Sequence, residues 1–258
     1  MNRLNGLSGL ITGAAGNIGR ATALRCRNEG ASVVLWDRRA EELNELSAWL
    51  LREAPDAPGR VTCQVVDVTD APSVKATAAV AAETQGPLDF LFVNAGVEGP
   101  VQALRDYPDE AFRQVMEVNC TGAFHCVKYC EPLMPDGASI LITSSVVGLK
   151  GSPKTVGYVT SKHAVVGLMR SAAKSYADRR VRVNSIHPGL VESDMLRRIE
   201  TGLVVLGATD PRAAFLAVTP MGTTITPDDV ANAAVFFFSG ESRYVTGQTM
   251  AVDAGYLL

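Results

Sequence analysis

Thr12-Gly13-Ala14-Ala15-Gly16-Asn17-Ile18-Gly19 stands between an apolar run, Leu7 to Thr12, and a stretch, Asn17 to Asn28, whose apolar residues recur at helical spacing. A strand that turns on glycines into a helix offers backbone N–H groups and a helix N-terminus to its ligand, with no Cβ to hold that ligand off. The pyrophosphate of a dinucleotide suits such a turn. Glycine clusters alone are common, and it is the position between the first strand and the first helix that gives this one its phosphate reading.

Outward from that turn the same rhythm repeats. Leu7 to Thr12, Ser32 to Trp36, Val61 to Val66, Leu88 to Val93, Ser139 to Thr143, Val181 to Ile186 and Met250 to Val252 are short apolar runs that read as buried strands. Between them Asn17 to Asn28, Ala40 to Arg52, Val74 to Glu83, Asp109 to Cys130, Val159 to Asp178 and Asp228 to Phe238 carry helical spacing, several opened by Asp, Asn, Ser or Thr. Alternation of this kind predicts an α/β, doubly wound, seven-stranded parallel sheet with helices on both faces and ligands at the carboxyl ends of the strands. At 258 residues the chain fits one dinucleotide-binding and catalytic domain, residues 1–258. Gly189 to Thr226 breaks the rhythm with Gly, Pro and Thr around two short apolar segments, Met195 to Ile199 and Ala213 to Val218, and reads as a substrate loop over about 189–226.

Composition excludes several classes of function. Net charge is -3, with Lys and Arg scattered along the chain, so there is no basic field for nucleic acid. No apolar run approaches a membrane span, and Met1 to Gly6 lacks the apolar core of a secretory leader, so a soluble, cytoplasmic protein without a membrane partner is expected. Five cysteines, Cys26, Cys63, Cys120, Cys126 and Cys130, lie mostly in apolar runs and suit reduced thiols. Cys126 and Cys130 share a helix face beside His125, but no second ligand pair of matching spacing exists, and no metal is expected.

The second strand leads to Asp37, about 20 residues past the glycines, where a carboxylate accepts hydrogen bonds from an adenosine ribose and repels a 2′-phosphate. NAD is thereby favoured over NADP, although Arg38 and Arg39 offer guanidinium groups that could pair with that phosphate. Asp67-Val68 follows the third strand at the level of an adenine, and Asn94-Ala95-Gly96 ends the fourth with small residues that let a cofactor pass close to the sheet.

With Gly13, Asn94-Ala95-Gly96, Asn119, Ser145, Tyr158-Val159-Thr160-Ser161-Lys162 and Pro188-Gly189, the chain resembles the compact, single-domain branch of the short-chain dehydrogenase/reductase family, a Rossmann-like fold, over nearly its whole length. Tyr158 and Lys162 stand at i and i+4, on one helix face, where an ammonium favours the phenolate. Bringing a tyrosine from a pKa of about 10 toward 7 takes roughly 4 kcal/mol of differential stabilisation. The resemblance implies that Tyr158 is the acid or base, Lys162 bonds the nicotinamide ribose, Ser145 holds the substrate oxygen, and Asn119 positions a proton-carrying water chain. It favours Ser145 over Ser144. His163 follows the lysine on the helix and faces elsewhere, and His187 precedes Pro188 at a strand end, so both read as structural. The resemblance also implies that Gly13, Gly16, Asn17, Ile18 and Gly19 hold the pyrophosphate, that Pro188, Gly189 and Val191 shape the nicotinamide pocket, that Ser193 stands where a threonine usually bonds the amide or pyrophosphate, and that the enzyme is a homotetramer.

Two departures stand out. The glycine turn reads Gly-xx-Gly-xx-Gly, as in the extended branch that includes sugar-nucleotide epimerases, because Asn17 occupies a position where compact members carry glycine; asparagine tolerates left-handed backbone, which offers one account of the replacement. Length and Asn94-Ala95-Gly96 keep the reading with the compact branch. Val252-Asp253-Ala254-Gly255 replaces the more usual Asp-Gly-Gly.

For function, the leading expectation is hydride transfer between NAD(H) and a small-molecule secondary alcohol or ketone, cyclic or lipophilic, because the loop offers Leu190, Met195, Leu196, Leu203, Val204, Val205, Leu206, Phe215 and Met221, and Val97, Val101 and Val146 to Leu149 extend the apolar rim. Arg197, Arg198 and Arg212 support the alternative of a 3-ketoacyl thioester reductase, and a polyol dehydrogenase is a further one. A non-catalytic NAD-binding regulatory protein is the alternative from another class, and intact Ser145, Tyr158 and Lys162 argue against it.

Overall fold

In the computed structural model, which describes residues 2–258, strands and helices alternate along the chain. The strands are β1 (Ser8–Thr12), β2 (Ser32–Asp37), β3 (Val61–Val65), β4 (Phe90–Val93), β5 (Ser139–Thr143), β6 (Arg182–Pro188) and β7 (Thr249–Val252). They form one sheet in the order β3-β2-β1-β4-β5-β6-β7, with every pairing parallel. The order reverses between β1 and β4, which opens a crevice at the carboxyl ends of those strands, and the glycine turn sits at its rim.

The helices are α1 (Asn17–Asn28), α2 (Ala40–Glu53), α3 (Ala71–Gln85), α4 (Asp109–Met116), α5 (Gly122–Cys130), α6 (Val156–Ser175), α7 (Asp194–Val205), α8 (Pro211–Ala217) and α9 (Pro227–Phe238). Successive strand residues point to opposite faces, so each buried strand feeds two cores. Leu10, Val34 and Trp36 pack with residues of α3, α5 and α6. Ile11, Val33 and Leu35 pack on the other face with residues of α1, α2 and α9. Among the described residues no helix is long and apolar enough to cross a membrane.

The strands fall where the apolar runs place them, within a few residues at the ends. Two expectations need correction. Asp109 to Cys130 is not one regular helix: a π turn, Glu117–Thr121, widens it between α4 and α5, at Asn119. The segment from Gly189 to Thr226 is more ordered than its punctuation suggests, since it contains α7 and α8. Their caps were present in the sequence: Ser193 accepts from Leu196 N and Asp210 from Ala213 N. Gly202, Val204 and Val205 lower the helical propensity of α7 and disguised it.

The replacement in the tail has a structural cost. Ala254 sits in the left-handed region at φ +53, where its Cβ crowds the following carbonyl. Relief of about 1–2 kcal/mol, less the entropy that a glycine loses on folding, predicts that Ala254→Gly stabilises the protein by about 0.5–1 kcal/mol. A thermal melt raised by about 2 °C is the expected reading, and an unchanged or lowered melt contradicts it.

Candidate active site

The turn is built around two glycines that no other residue could replace. Gly13 has φ +61, and a Cβ there would stand 2.8 Å from Ala95 Cα; a Cβ on Gly19 would stand 2.3 Å from Gly13 O. Gly16 differs, because its Cβ would meet only Gly13 O, at 3.4 Å, so the protein's own packing does not require it. It lines a cavity of about 440 Å³ together with Gly13, Asn17 and Ile18. No side chain caps α1 and its first turn has no acidic residue, so the N–H groups and positive dipole end of that helix are open to an anion. Free N–H groups and an open cradle at Gly16 fit a dinucleotide pyrophosphate.

Asn17 needs no left-handed backbone. It is the first residue of α1, and the non-glycine residues with positive φ are Lys154, Arg180 and Ala254. Its Oδ1 instead accepts from Asp194 N, 3.2 Å away at the start of α7. The account from left-handed tolerance is therefore replaced by a contact across 177 positions of sequence.

Asp37 is buried, and its Oδ2 accepts from Ala15 N (3.0 Å) while Oδ1 accepts from Arg39 N and Nε (both 3.1 Å). Arg39, one of the two guanidinium groups that could have paired with a 2′-phosphate, is thus held by the Asp37 carboxylate instead. Arg38 and Val68 line the cavity, as does Asp67, whose Oδ1 accepts from Thr69 N and Oγ1 and whose carboxyl those bonds hold below the usual range. Asn94 ties three strands together: Nδ2 donates to Thr12 O and Gly13 O, and Oδ1 accepts from Thr143 Oγ1 at 3.1 Å. Thr12 Oγ1 accepts in turn from the backbone of Asn94 and Ala95.

Lys162 and Tyr158 come from α6 at the opposite wall. Lys162 is buried and donates from Nζ to Thr143 O at 2.9 Å, with the same Nζ 5.5 Å from the centre of the Tyr158 ring. Burial pushes Lys162 down to about 8. It also pushes Tyr158 up to about 12, with the Ser145 hydroxyl pulling the other way and the Glu98 carboxylate adding to the rise. The lysine alone therefore does not bring the phenol toward neutrality, because burial disfavours both charged forms at once.

The two serines, both at the cavity wall, separate by their bonds. Ser144 Oγ donates its proton to Lys162 O at 2.8 Å, whereas Ser145 Oγ accepts from Val147 N and keeps its own O–H for another partner. His187 is buried, bonded through Nδ1 to Ser145 O and through Nε2 to Ser185 Oγ, and burial holds its pKa down, so it braces Ser145 as a neutral ring. His163 lies on the exposed face of α6. Asn119, in the π turn, donates to Val97 O and Ser161 Oγ and accepts from Val97 N. Gly96 keeps open the space beside it: a Cβ would stand 3.2 Å from Asn119 Oδ1 and 3.4 Å from Lys162 Nζ.

Pro188, Gly189, Val191 and Ser193 also line the cavity, where Ser193 Oγ is engaged in capping α7 and in donating to Val191 O. Leu190, Met195, Leu196, Ile199 and Phe215 supply its apolar wall, joined by Tyr256, which the sequence did not single out. Val204, Val205, Leu206 and Met221, expected there, are exposed instead, as is Leu149. All three arginines of the loop are paired within the chain: Arg197 with Asp194, Arg198 with Glu98, and Arg212 with both Glu192 and Glu200. Thr12, Thr143, Ser161 and Glu98 are the polar members that sequence reasoning missed; only the third is within the Tyr158–Lys162 motif. Cys126 and Cys130 are buried free thiols, raised by burial.

The model of the family described as enoyl-(acyl carrier protein) reductase matches residues 13–257. The chain belongs to the short-chain dehydrogenase/reductase family. It is 35% identical to a 3-oxoacyl-acyl-carrier-protein reductase of Thermotoga maritima over 99% of this chain and 100% of that one. It is 32% identical to a cyclohexanol dehydrogenase of an Acinetobacter species (99% and 96%) and 34% identical to a (-)-trans-carveol dehydrogenase of Rhodococcus erythropolis (100% and 100%). Among solved structures, an NAD+-bound xylitol dehydrogenase superposes with TM-score 0.93 at 32% identity (98% and 100%), and a carveol dehydrogenase from Mycobacterium avium in complex with NAD with 0.91 at 31% (100% and 99%). A metagenomic blue fluorescent protein in complex with NADPH superposes with 0.87 at 26% (99% and 100%). As a member of this family the chain is an oxidoreductase of alcohols and ketones, built on the nicotinamide-dinucleotide-binding fold.

The depressed Lys162 pKa makes stability depend on pH. Between about 8, its folded value, and about 10.5, its unfolded one, the unfolded chain binds more protons, so the cost of burying this ammonium falls as pH rises through that window. Lys162→Met removes the cost. In urea melts of the cofactor-free protein the variant should gain most over wild type at pH 7, with the gap narrowing by about 2 kcal/mol at pH 9.5. A gap that does not change with pH contradicts the assignment.

Proposed function

We propose that the protein is an NAD-dependent dehydrogenase of cyclic or lipophilic secondary alcohols, working equally as the reductase of the matching ketones. The observation that carries this reading is the convergence of Ser145, Tyr158 and Lys162 in an apolar cavity continuous with the glycine turn. When bound, NAD supplies the hydride acceptor, and NADH the donor, at the carbinol carbon.

The protein's own groups handle the proton and the geometry. Ser145 Oγ, braced through its backbone by His187, donates to the substrate oxygen. Tyr158 Oη takes the hydroxyl proton in oxidation and returns it in reduction. Lys162, cationic at neutral pH and fixed on Thr143 O, favours the phenolate and would hold the ribose of the cofactor. Burial holds the Tyr158 phenol protonated in the empty site, the form that serves as acid in reduction, and its role as base in oxidation calls for further positive charge beside it. Asn119, next to Lys162 across the space that Gly96 leaves, positions the water through which the proton leaves.

The buried Asp37 carboxylate supports NAD, since a 2′-phosphate would meet its charge, and two of the structural relatives carry NAD. Residues 189–226 form the lid of the substrate site within one catalytic domain. The names of the cyclohexanol and carveol dehydrogenases among its relatives support a cyclic substrate. A homotetramer in the cytoplasm completes the reading. The alternative, reduction of a 3-ketoacyl thioester, has support in the Thermotoga relative, but the paired Arg197, Arg198 and Arg212 offer no free cation to a phosphopantetheine.

The test is a panel of cyclic alcohols, hydroxy acids, polyols and ketoacyl thioesters with both cofactors. Cyclic alcohols with NAD should give the highest kcat/KM. Tyr158→Phe should lower turnover by about 10³-fold or more while NADH still binds, and Ser145→Ala by about 10²-fold. Ser144→Ala should leave turnover within about threefold, because its hydroxyl serves the backbone of α6. Preference for NADP, or turnover that survives Tyr158→Phe, overturns the reading.

A further inference from the structure

The lid helix α7 meets the body of the protein along one stripe. Asp194, Arg198 and Gly202 are spaced i, i+4 and i+8, and so share a helix face. The first donates its N–H to Asn17; the second binds Glu98 from Nε and Nη2; the third packs so closely that a Cβ would stand 2.7 Å from the Val101 side chain. One helix face thus bridges the phosphate turn and the segment that follows β4. Of the three contacts only the middle one joins charges. Arg198 is a wall residue of the cavity that also holds Tyr158, with its side chain 60% exposed, whereas Glu98 stands behind it, 12% exposed. The carboxylate also lies near enough to Tyr158 to oppose the phenolate.

Resting on the alcohol dehydrogenase reading, we propose that Glu98 is a specificity-determining residue: by engaging Arg198 it keeps that guanidinium from offering the cavity an unpaired positive charge, and so disfavours alcohols and ketones that carry a carboxylate. A guanidinium already bound in fork geometry by a mostly buried carboxylate has little left for a second anion. An incoming carboxylate would also feel the negative charge of Glu98 from behind Arg198. Selection works here by repulsion, and the apolar wall supplies the attraction for neutral rings. The charged and polar groups that face Tyr158 are Lys162, Ser145 and Glu98, with Arg198 paired to the last and His187 neutral behind Ser145.

The proposal makes opposite demands on two variants. Glu98→Gln leaves Arg198 as the unpaired charge, and calorimetry with cyclohexanecarboxylate should show binding about tenfold tighter than to wild type. Arg198→Met leaves Glu98 unpaired and should tighten cyclohexylamine about tenfold instead, with no gain for the acid. Turnover follows the same sign: kcat/KM for 3-hydroxycyclohexanecarboxylate relative to cyclohexanol should rise about tenfold in Glu98→Gln, stay at the wild-type ratio in Glu98→Asp, and lose its gain in Glu98→Gln/Arg198→Met. The limb on which oxidation of cyclohexanol rises with pH should move to lower pH in Glu98→Gln, a shift that mere loosening of α7 would not cause. Acid and neutral probes that change together in the two variants, or an acid gain that survives loss of Arg198, overturn the proposal. Failure of every protein to oxidise any alcohol would instead refute the dehydrogenase reading, and the calorimetry would still decide the role of Glu98.

Discussion

A single chain of hydrogen bonds joins the two halves of this site. Gly13 O accepts from Asn94 Nδ2, Asn94 Oδ1 accepts from Thr143 Oγ1, and Thr143 O accepts from Lys162 Nζ. Phosphate turn, β4, β5 and the lysine of α6 are therefore held in register by polar contacts that cross the point where the strand order reverses. The crossing depends on close approach: Ala95 lies against Gly13, where any Cβ would intrude. If the turn moves, the lysine loses the carbonyl arrangement that fixes its ammonium.

That fixation has an electrostatic consequence. Lys162 is buried beside a phenol, and burial lowers the basicity of the one while weakening the acidity of the other. Neither shift helps proton transfer when the site is empty. Together they describe a pair poised for an added positive charge, because a low-polarity site makes each incoming charge count for more than water would. Two further ions of the cavity wall are held in pairs, Asp37 with Arg39 and Arg198 with Glu98 behind it.

The parts legible in the sequence are those where function and fold use one local pattern. Seven apolar runs, the strand-turn-helix glycines and the Tyr158–Lys162 spacing each lie within a few residues, so periodicity and turn chemistry suffice to place them. What escaped is made of contacts distant in sequence. Thr143 looks like the end of an apolar strand, and only pairing with β4 reveals that it links Asn94 to Lys162. Glu98 is one carboxylate in a loop until α7 arrives with Arg198. Helix α7 was hidden for a different reason: its glycine and valines weaken the local pattern, and its stability comes from docking rather than from propensity.

Asn17 shows how such a distant contact can explain a departure from a family pattern. Read locally, an asparagine in a glycine position raises a question about backbone conformation, and tolerance of left-handed angles offers an answer. The backbone there is the ordinary start of a helix, so the local question does not arise. What the side chain provides is an acceptor for the first N–H of α7, a group that a helix must satisfy from outside itself. A glycine could not supply it. The residue thus joins the glycine turn to α7, and with Glu98 it fixes α7 at two points one helical turn apart, so that this wall of the cavity is set partly by the residue that begins α1.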